Sequence, residues 1–532
     1  MDSPAMSKED AGPHFSKREL AADAQEANTT DRELSILQAM KLYPKAVAWS
    51  MIVSAASIMD GYDYHVISSL FAQPAFQKAY GELQQNGSYQ ITAPWQSGLN
   101  NGSSVGCLLG LYLAGHLTDK FGFRKTIMFT LFLTFCFIFI QFFANSLVLL
   151  QVGQILLGIP LAVFQTITCV YAAEVAPTSL RAFLTSYVSQ MWVIGQILVT
   201  CVIRGVLHMK APWAYRIPFA IQWFWPIPIL VAVLLAPESP WWLIRQNRIE
   251  DAKKALRRLT SGEYASDSHI DKTVALMVAT TEHERRINSS TSYIACFKGT
   301  DFRRTMLVVF LFCMQIIGGT TLRAYATYFF EQAGLPTEQA FNMSIITYVL
   351  SFVGTVLSVL LKWFLMPYIG RRTLFLWGLY VNTAIYFVIG GLGVHNSNSD
   401  FSWGIASLLV INGFVCYVCM IPIIFALVPE IPSTLLRSKS VPIGRAVYTV
   451  INIAASVLTS YQINPTAWGW GAKSGFFWGV SSVCGILITY FILPETKDRT
   501  VTDIDLLFQK KISARKFART KVDASEVATG LH

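Results

Sequence analysis

Runs of about twenty apolar residues recur along this chain, separated by short polar breaks rich in Gly, Pro, Asp, Lys and Arg. A helix needs roughly 20 such residues to cross the hydrocarbon core of a bilayer. Marking the runs and their breakers predicts twelve crossing helices. Their approximate limits are 46–71, 97–116, 126–144, 147–172, 183–205, 216–235, 305–330, 339–364, 373–394, 404–428, 441–461 and 473–493. The longest break, 238–304, divides them into two groups of six. There the pattern alternates charged and apolar positions, as in IEDAKKALRRLT, which predicts short amphipathic helices on the cytoplasmic face. The expected organisation is an all-α membrane protein: a tail (1–45), a six-helix bundle (46–237), a connector (238–304), a second bundle (305–493) and a tail (494–532).

Composition agrees. The 532 residues are 53% hydrophobic and only 14% charged, against about a quarter charged in soluble domains. A soluble enzyme is excluded. The net charge of +10 is concentrated in the connector (Arg245, Arg248, Lys253, Lys254, Arg257, Arg258) and the C-terminal tail (Lys510, Lys511, Arg515, Lys516). Positive residues gather on the cytoplasmic side, so the charge reads as topology and not as a nucleic-acid surface. An even number of spans then places both termini in the cytoplasm of a multi-pass cell-membrane protein. The sequon Asn86-Gly87-Ser88 follows the first span, falls outside, and is a glycosylation candidate. No cleavable signal peptide precedes the first span, which must act as its own insertion signal. The nine cysteines show no disulfide spacing, and the Cys416-x-x-Cys419 pair lies within a predicted span.

The chain repeats itself. Glu174 and Arg181, seven apart, match Glu430 and Arg437; Pro237-Glu238-Ser239 matches Pro494-Glu495-Thr496; Arg124-Lys125 matches Arg371-Arg372. Three pairs in the same order mean two homologous six-helix bundles, an arrangement that places a binding site between the halves near mid-membrane. The same residues, with Asp119 before Arg124, form candidate ion-pair latches (Asp119, Arg124, Glu174, Arg181, Glu238, Arg371, Glu430, Arg437 and Glu495). Acidic partners recurring at matched places go beyond what a positive-inside bias requires.

Two carboxylates inside the first span, Asp60 and Asp63, are costly at mid-bilayer and therefore functional candidates. At i, i+3 they share a helix face, suited to a group that takes up and releases a proton. A structural pairing with Arg445 in span eleven is the alternative. A polar substrate, once desolvated, needs several hydrogen-bond partners and apolar platforms. Candidates are Gln165, Gln190 and Gln196 in spans four and five, Gln315 and Thr320 in span seven, and Phe425, Tyr448, Thr449 and Asn452 in spans ten and eleven. For each aromatic, helix packing is an equal alternative. No phosphate-binding loop, zinc-protease motif or nucleophile elbow is present, no cofactor or metal is expected, and any uphill work at the membrane would have to draw on an ion gradient.

The string Gly115-His-Leu-Thr-Asp119-Lys-Phe-Gly122-Phe-Arg124-Lys125 resembles the GxxxDxxGxRK signature of the major facilitator superfamily. More widely, the chain is similar to the sugar-porter family, and most to fungal α-glucoside (maltose-type) permeases, over about residues 40–510. Gly61-Tyr-Asp63, Ala93-Pro-Trp-Gln-Ser-Gly-Leu99, Pro237-Glu-Ser-Pro-Trp-Trp-Leu243, Thr327-Tyr-Phe-Phe-Glu-Gln-Ala-Gly334 and Leu493-Pro-Glu-Thr-Lys497 carry the resemblance. It implies alternating access, proton coupling at Asp63, an acidic family position at Asp60, a basic family position at Arg445, and substrate positions at Gln315, Thr320, Phe425 and Tyr448. The implied function is proton-coupled uptake of an α-glucoside or related sugar by a monomer in the lipid bilayer. Three departures bear on substrate: Cys107 stands where these permeases usually carry glutamate, Cys419-Met-Ile-Pro422 replaces Thr-Val-Gly-Pro, and Arg323 lies inside span seven. Arg323 has three readings: binding an anionic substrate, pairing with Asp60 or Asp63, or snorkelling to the outer interface. A carrier of another polar or anionic metabolite, working inward or outward, is therefore the first rival, and a non-transporting nutrient receptor the second.

Overall fold

A computed structural model of the chain describes residues 43–517, with 38, 40, 41 and 520, apart from 85–86, 176–177, 262–265, 291, 365–368, 395–398, 429, 434–435, 498 and 500. Twelve helical spans are present among the described residues. Span one is Pro44–Ser54 and Ala56–Leu70. Spans two to five are Ala93–Phe121, Phe123–Phe142, Leu147–Val175 and Thr178–Gly205. Span six runs from Trp213–Ile221 through a short 3₁₀ turn to Pro226–Leu235. Span seven is broken into Gly299–Ile317, Thr320–Ala324 and Ala326–Gln332. Spans eight and nine are Thr337–Phe364 and Arg371–Val394. Span ten is Ser399–Val415, a π-helical turn Cys416–Met420 and Ile421–Leu427. Spans eleven and twelve are Arg437–Ile463 and Ser474–Ile492.

Nine of the described helices are long and apolar enough to cross a membrane by length and composition. The exceptions are spans one, two and seven. Spans one and seven are interrupted, and span two carries Gln96, Ser97, Asn100, Asn101, Ser103 and Ser104, all buried. A lipid-facing helix has no use for such residues, whereas one enclosed by other helices can hold them. Conversely Leu109, Tyr112, Phe132, Trp377, Val480 and Phe491 are exposed on the outer faces of their spans. An apolar surface of that extent is a liability in water, and in hydrocarbon it is the solvated one.

One apolar core fills the first bundle and another the second. A third crosses between them, from Tyr62, Val66, Leu70 and Phe71 of span one to Tyr325, Tyr328, Phe329 and Phe330 of span seven. This shared core lies at the end of the molecule opposite the termini. Beside it two short strands pair, Glu82–Leu83 with Tyr89–Gln90; Asn86, between them in sequence, lies outside the described residues.

The connector contains the expected amphipathic helices. In Ile249–Leu259 the residues Ala252, Ala255, Leu256 and Leu259 are buried, at the i, i+3, i+4, i+7 spacing of one helix face. Glu250 and Asp251 occupy its first turn and Arg257 and Arg258 its last, each favourable to the helix dipole. Two boundaries differ from the sequence expectation. Span seven starts at Gly299, inside the stretch read as connector, and the tail after 494 is folded against the second bundle. One contact explains both. Arg304, only 3% exposed, donates to the Ile431 carbonyl at 2.7 Å and pairs with Asp505 of the helix Val501–Gln509. Its guanidinium also covers the Phe508 ring at 4.9 Å. Charged residues at a span's end read as loop in sequence, and here they dock a second helix.

Candidate functional site

Span one is enclosed along its second helix: every residue from Ala56 to Leu70 except Tyr64 is buried. Small residues permit this closeness. A Cβ on Gly61 would lie 2.0 Å from the Trp192 carbonyl oxygen of span five, and one on Gly195 would lie 2.3 Å from that of Ile58. Close backbone approach through small residues is the usual glue between membrane helices.

The two carboxylates of span one have different surroundings. Asp60 Oδ2 accepts a hydrogen bond from Gln165 Nε2 at 3.4 Å, and Gln165 Oε1 accepts one from Arg445 Nη2 at 3.3 Å. Gln165 thus joins a carboxylate of the first half to a guanidinium of the second. Arg445 also lies over the Tyr448 ring at 4.8 Å, and Thr449 Oγ1 donates to the Arg445 carbonyl at 3.0 Å. Asp63 instead points into the first bundle. Its Oδ1 accepts from Gln222 Nε2 of span six at 3.5 Å, and Gln141 and Gln154 of spans three and four lie around the same carboxyl. The pairing with Arg445 is therefore made through Gln165 and by Asp60, not by Asp63.

Around Asp60 the structure gathers a polar and aromatic group from both halves. Tyr64 lies against Trp192 at 5.8 Å and near Asn452 and Tyr448. His65 packs edge-on to Tyr348 of span eight at 5.2 Å. Gln165, Tyr448, Thr449 and Asn452 belong to this group. Gln196 and Gln315 are buried, and Thr320 Oγ1 donates to the Gln315 carbonyl at 3.1 Å. Gln190 and Phe425 form no hydrogen bond or ring contact with the group among the described residues, and Phe425 is 48% exposed. Sequence reasoning passed over Tyr64, His65, Trp192, Tyr348, Gln141, Gln154 and Gln222. The one available signal was their density in spans that also carry buried charge.

Arg323 does not snorkel. It is 5% exposed, and its Nη1 donates to the Gly318 carbonyl and to Asn412 Oδ1, both at 2.8 Å. Nor does it pair with Asp60 or Asp63; among the described residues no carboxylate meets it. Cys416 Sγ and Tyr386 Oη donate to the same Gly318 carbonyl at 3.3 and 3.2 Å. All three converge on the break in span seven, where Gly319 takes φ +81°, a conformation that favours glycine. Cys416 and Cys419 are free thiols, and the π-turn they occupy carries Cys416 to this carbonyl.

At the terminal face the repeat is visible in three dimensions. Glu238 accepts hydrogen bonds from the Phe123 and Arg124 amides at 3.0 and 3.2 Å, capping span three. Glu495 accepts from the Arg371 and Arg372 amides at 2.9 and 3.0 Å, capping span nine. A carboxylate at a helix N-terminus satisfies orphan donors and complements the dipole. Burial nevertheless pushes the Glu238 carboxyl above its ordinary range. Arg124 donates to the Val233 carbonyl at 3.2 Å and Arg372 to that of Tyr490 at 2.5 Å. Arg124 is thus the equivalent of Arg372, one residue on from the match made in sequence. Glu174 accepts from Ser239 and pairs with Arg245 at 2.8 Å; Glu430 accepts from Thr496 and pairs with Arg371. The partners expected in sequence were Arg181 and Arg437. The Arg181 side chain lies outside the described residues, and Arg437 sits beside Asp505 and Arg304. Asp119 is exposed and meets no cation among the described residues; its carbonyl accepts from Trp242 Nε1 at 3.1 Å. Among the described residues none of these pairs joins one bundle to the other.

A bundle of two equivalent six-helix halves, with buried charge between them, is the architecture of a membrane carrier. The model of the family described as "Sugar (and other) transporter" matches residues 49–508, and the chain belongs to that family. It is 39% identical over 505 residues to a general alpha-glucoside permease of Saccharomyces cerevisiae, covering 94% of this chain and 81% of that one. It is also 39% identical over 514 residues to a maltose permease of the same yeast, covering 95% and 82%. Among solved structures it superposes on the partially occluded inward-open xylose transporter XylE from E. coli with a TM-score of 0.69 and 19% identity, covering 86% of this chain and all of that one. Its relatives are permeases and not enzymes.

Proposed function

We propose that the chain carries an α-glucoside or related sugar inward across the plasma membrane together with a proton, with both termini cytoplasmic. The permeases it resembles along nearly the whole of its own length support the substrate class. The observation that carries the mechanism is the Asp60–Gln165–Arg445 bridge, a charged link between the halves at mid-membrane. In this scheme the cavity opens outward, Asp63 takes a proton, and the sugar binds among Tyr64, Gln165, Tyr448 and Asn452. The halves then rock to open inward. The test is uptake of radiolabelled maltose, glucose and a panel of glycosides in a transporter-null yeast, with and without protonophore. Protonophore-sensitive accumulation of an α-glucoside supports the reading, and none by a protein shown to be at the surface refutes it. Asp63→Asn should abolish uphill accumulation while leaving sugar exchange; full accumulation by that variant removes Asp63 as the proton site.

A second reading, a carrier of an anionic metabolite, is favoured by Arg323, buried without a carboxylate among the described residues. Arg323→Gln would then lower uptake of acidic glycosides and leave neutral ones unchanged.

A further inference from the structure

The hydrogen bonds that join the two halves are unevenly placed. Apart from the Gln165–Arg445 contact, those among the described residues lie toward the face opposite the termini. Asn100 donates to Ser456 at 3.0 Å, Tyr328 to Gln90 at 3.2 Å, Asn464 to the Ile91 carbonyl at 2.8 Å, and Gln77 to Glu331 at 3.4 Å. The seam rests on the shared apolar core of spans one and seven. This mouth is closed.

Among the described residues, the seam brings opposite charges together at one place, around Glu338. Arg204, in the last turn of span five, forms an ion pair with Glu338 in the first turn of span eight and donates through Nε to Asn342 Oδ1 at 3.1 Å. His208 Nε2 stands 4.0 Å from the other Glu338 oxygen. The fork holds span eight by two side chains one turn apart, which fixes its rotation as well as its distance. The ladder Asn100–Ser456 and Tyr328–Gln90 is neutral and exchangeable with water, so the charged fork supplies the directional part of closure.

We propose that Arg204 and Glu338 form the latch of the outer gate, closed when the cavity faces the cytoplasm and opened for sugar to enter. The described terminal-face pairs do not join one bundle to the other and set no such register between them. The proposal rests on the alternating-access reading and its orientation. The side chains are 24% and 48% exposed, so the pair is partly screened, and exposed pairs shift an equilibrium by up to about fivefold. That suffices to bias a two-state carrier without locking it.

The test places a cysteine at Asn452 (N452C), beneath the seam, and measures its labelling by a membrane-impermeant maleimide on intact yeast. Rates are taken above those of the parent chain and per molecule at the surface. R204Q and E338Q should raise labelling about two- to fivefold, E338D should label like the parent, and the swap R204E/E338R should return the rate to within twofold. Raised external salt should speed labelling of the parent but not of E338Q. Unchanged rates in both neutral variants, or a swap as fast as they are, overturn the latch. Faster labelling of E338Q in inside-out vesicles instead would uphold the latch and overturn the assigned orientation.

Discussion

Replacing Gln165 with leucine tests the bridge between the halves most directly, because it removes the amide and keeps the approximate volume. The amide makes two hydrogen bonds to charged groups, at 3.4 and 3.3 Å. These lengths exceed the usual 2.9–3.0 Å, so each bond sits near the low end of its range, about 1.5 kcal/mol. Losing both costs about 3 kcal/mol, or roughly a hundredfold at about 1.4 kcal/mol per factor of ten. Arg445 retains the Tyr448 ring beneath it and can swing toward Asp60, which recovers part of the loss. The expected result is a ten- to hundredfold fall in the initial rate of proton-driven sugar uptake at equal surface amount. Gln165→Glu should do no better, since it restores a partner for Arg445 but sets a second anion beside Asp60. Uptake by Gln165→Leu within twofold of the parent would refute the bridge as a coupling element.

Two stability predictions follow from the backbone. A Cβ on Gly319 would lie 1.3 Å from Tyr386 Oη at a residue with φ +81°; Gly319→Ala should cost about 1–3 kcal/mol in strain alone. Its melting midpoint in detergent should fall, with partial recovery in Gly319→Ala/Tyr386→Phe, and an unchanged midpoint would refute the clash. Glu238→Ala and Glu495→Ala each remove a helix cap and should cost about 1–2 kcal/mol. Because the caps lie in separate halves their effects should add; a double variant no worse than either single would show that they are not independent.

Much of this architecture was legible because the signals involved are local. Apolar length marks a span wherever its neighbours lie, and the matched Glu238 and Glu495 announce two equivalent halves. Partners are another matter. Glu174 meets Arg245 and Glu430 meets Arg371 because Phe123 stands in the first half where Arg371 stands in the second. A cation supplied from the connector fills the gap, and no spacing rule encodes that. Arg323 was ambiguous for a related reason. Its position inside span seven is plain in the sequence, but burial depends on Asn412 and Tyr386 arriving from spans ten and nine. The Arg204–Glu338 pair joins residues 134 apart that each read as ordinary interfacial charge.

The polar content of spans one, two and seven also bears on how the chain enters the bilayer. On the insertion scale an aspartate at helix centre costs about 2.5–3.5 kcal/mol, so Asp60 and Asp63 together burden span one with about 5–7 kcal/mol before any neighbour exists to enclose them. Its enclosure comes from spans four, five and six, through Gln165, Trp192 and Gln222, so the two carboxylates are covered only after those spans have been made. Span one can therefore begin insertion of this carrier yet settle late: a ribosome stalled before span five should leave Asp60 and Asp63 without the helix that packs most closely over them.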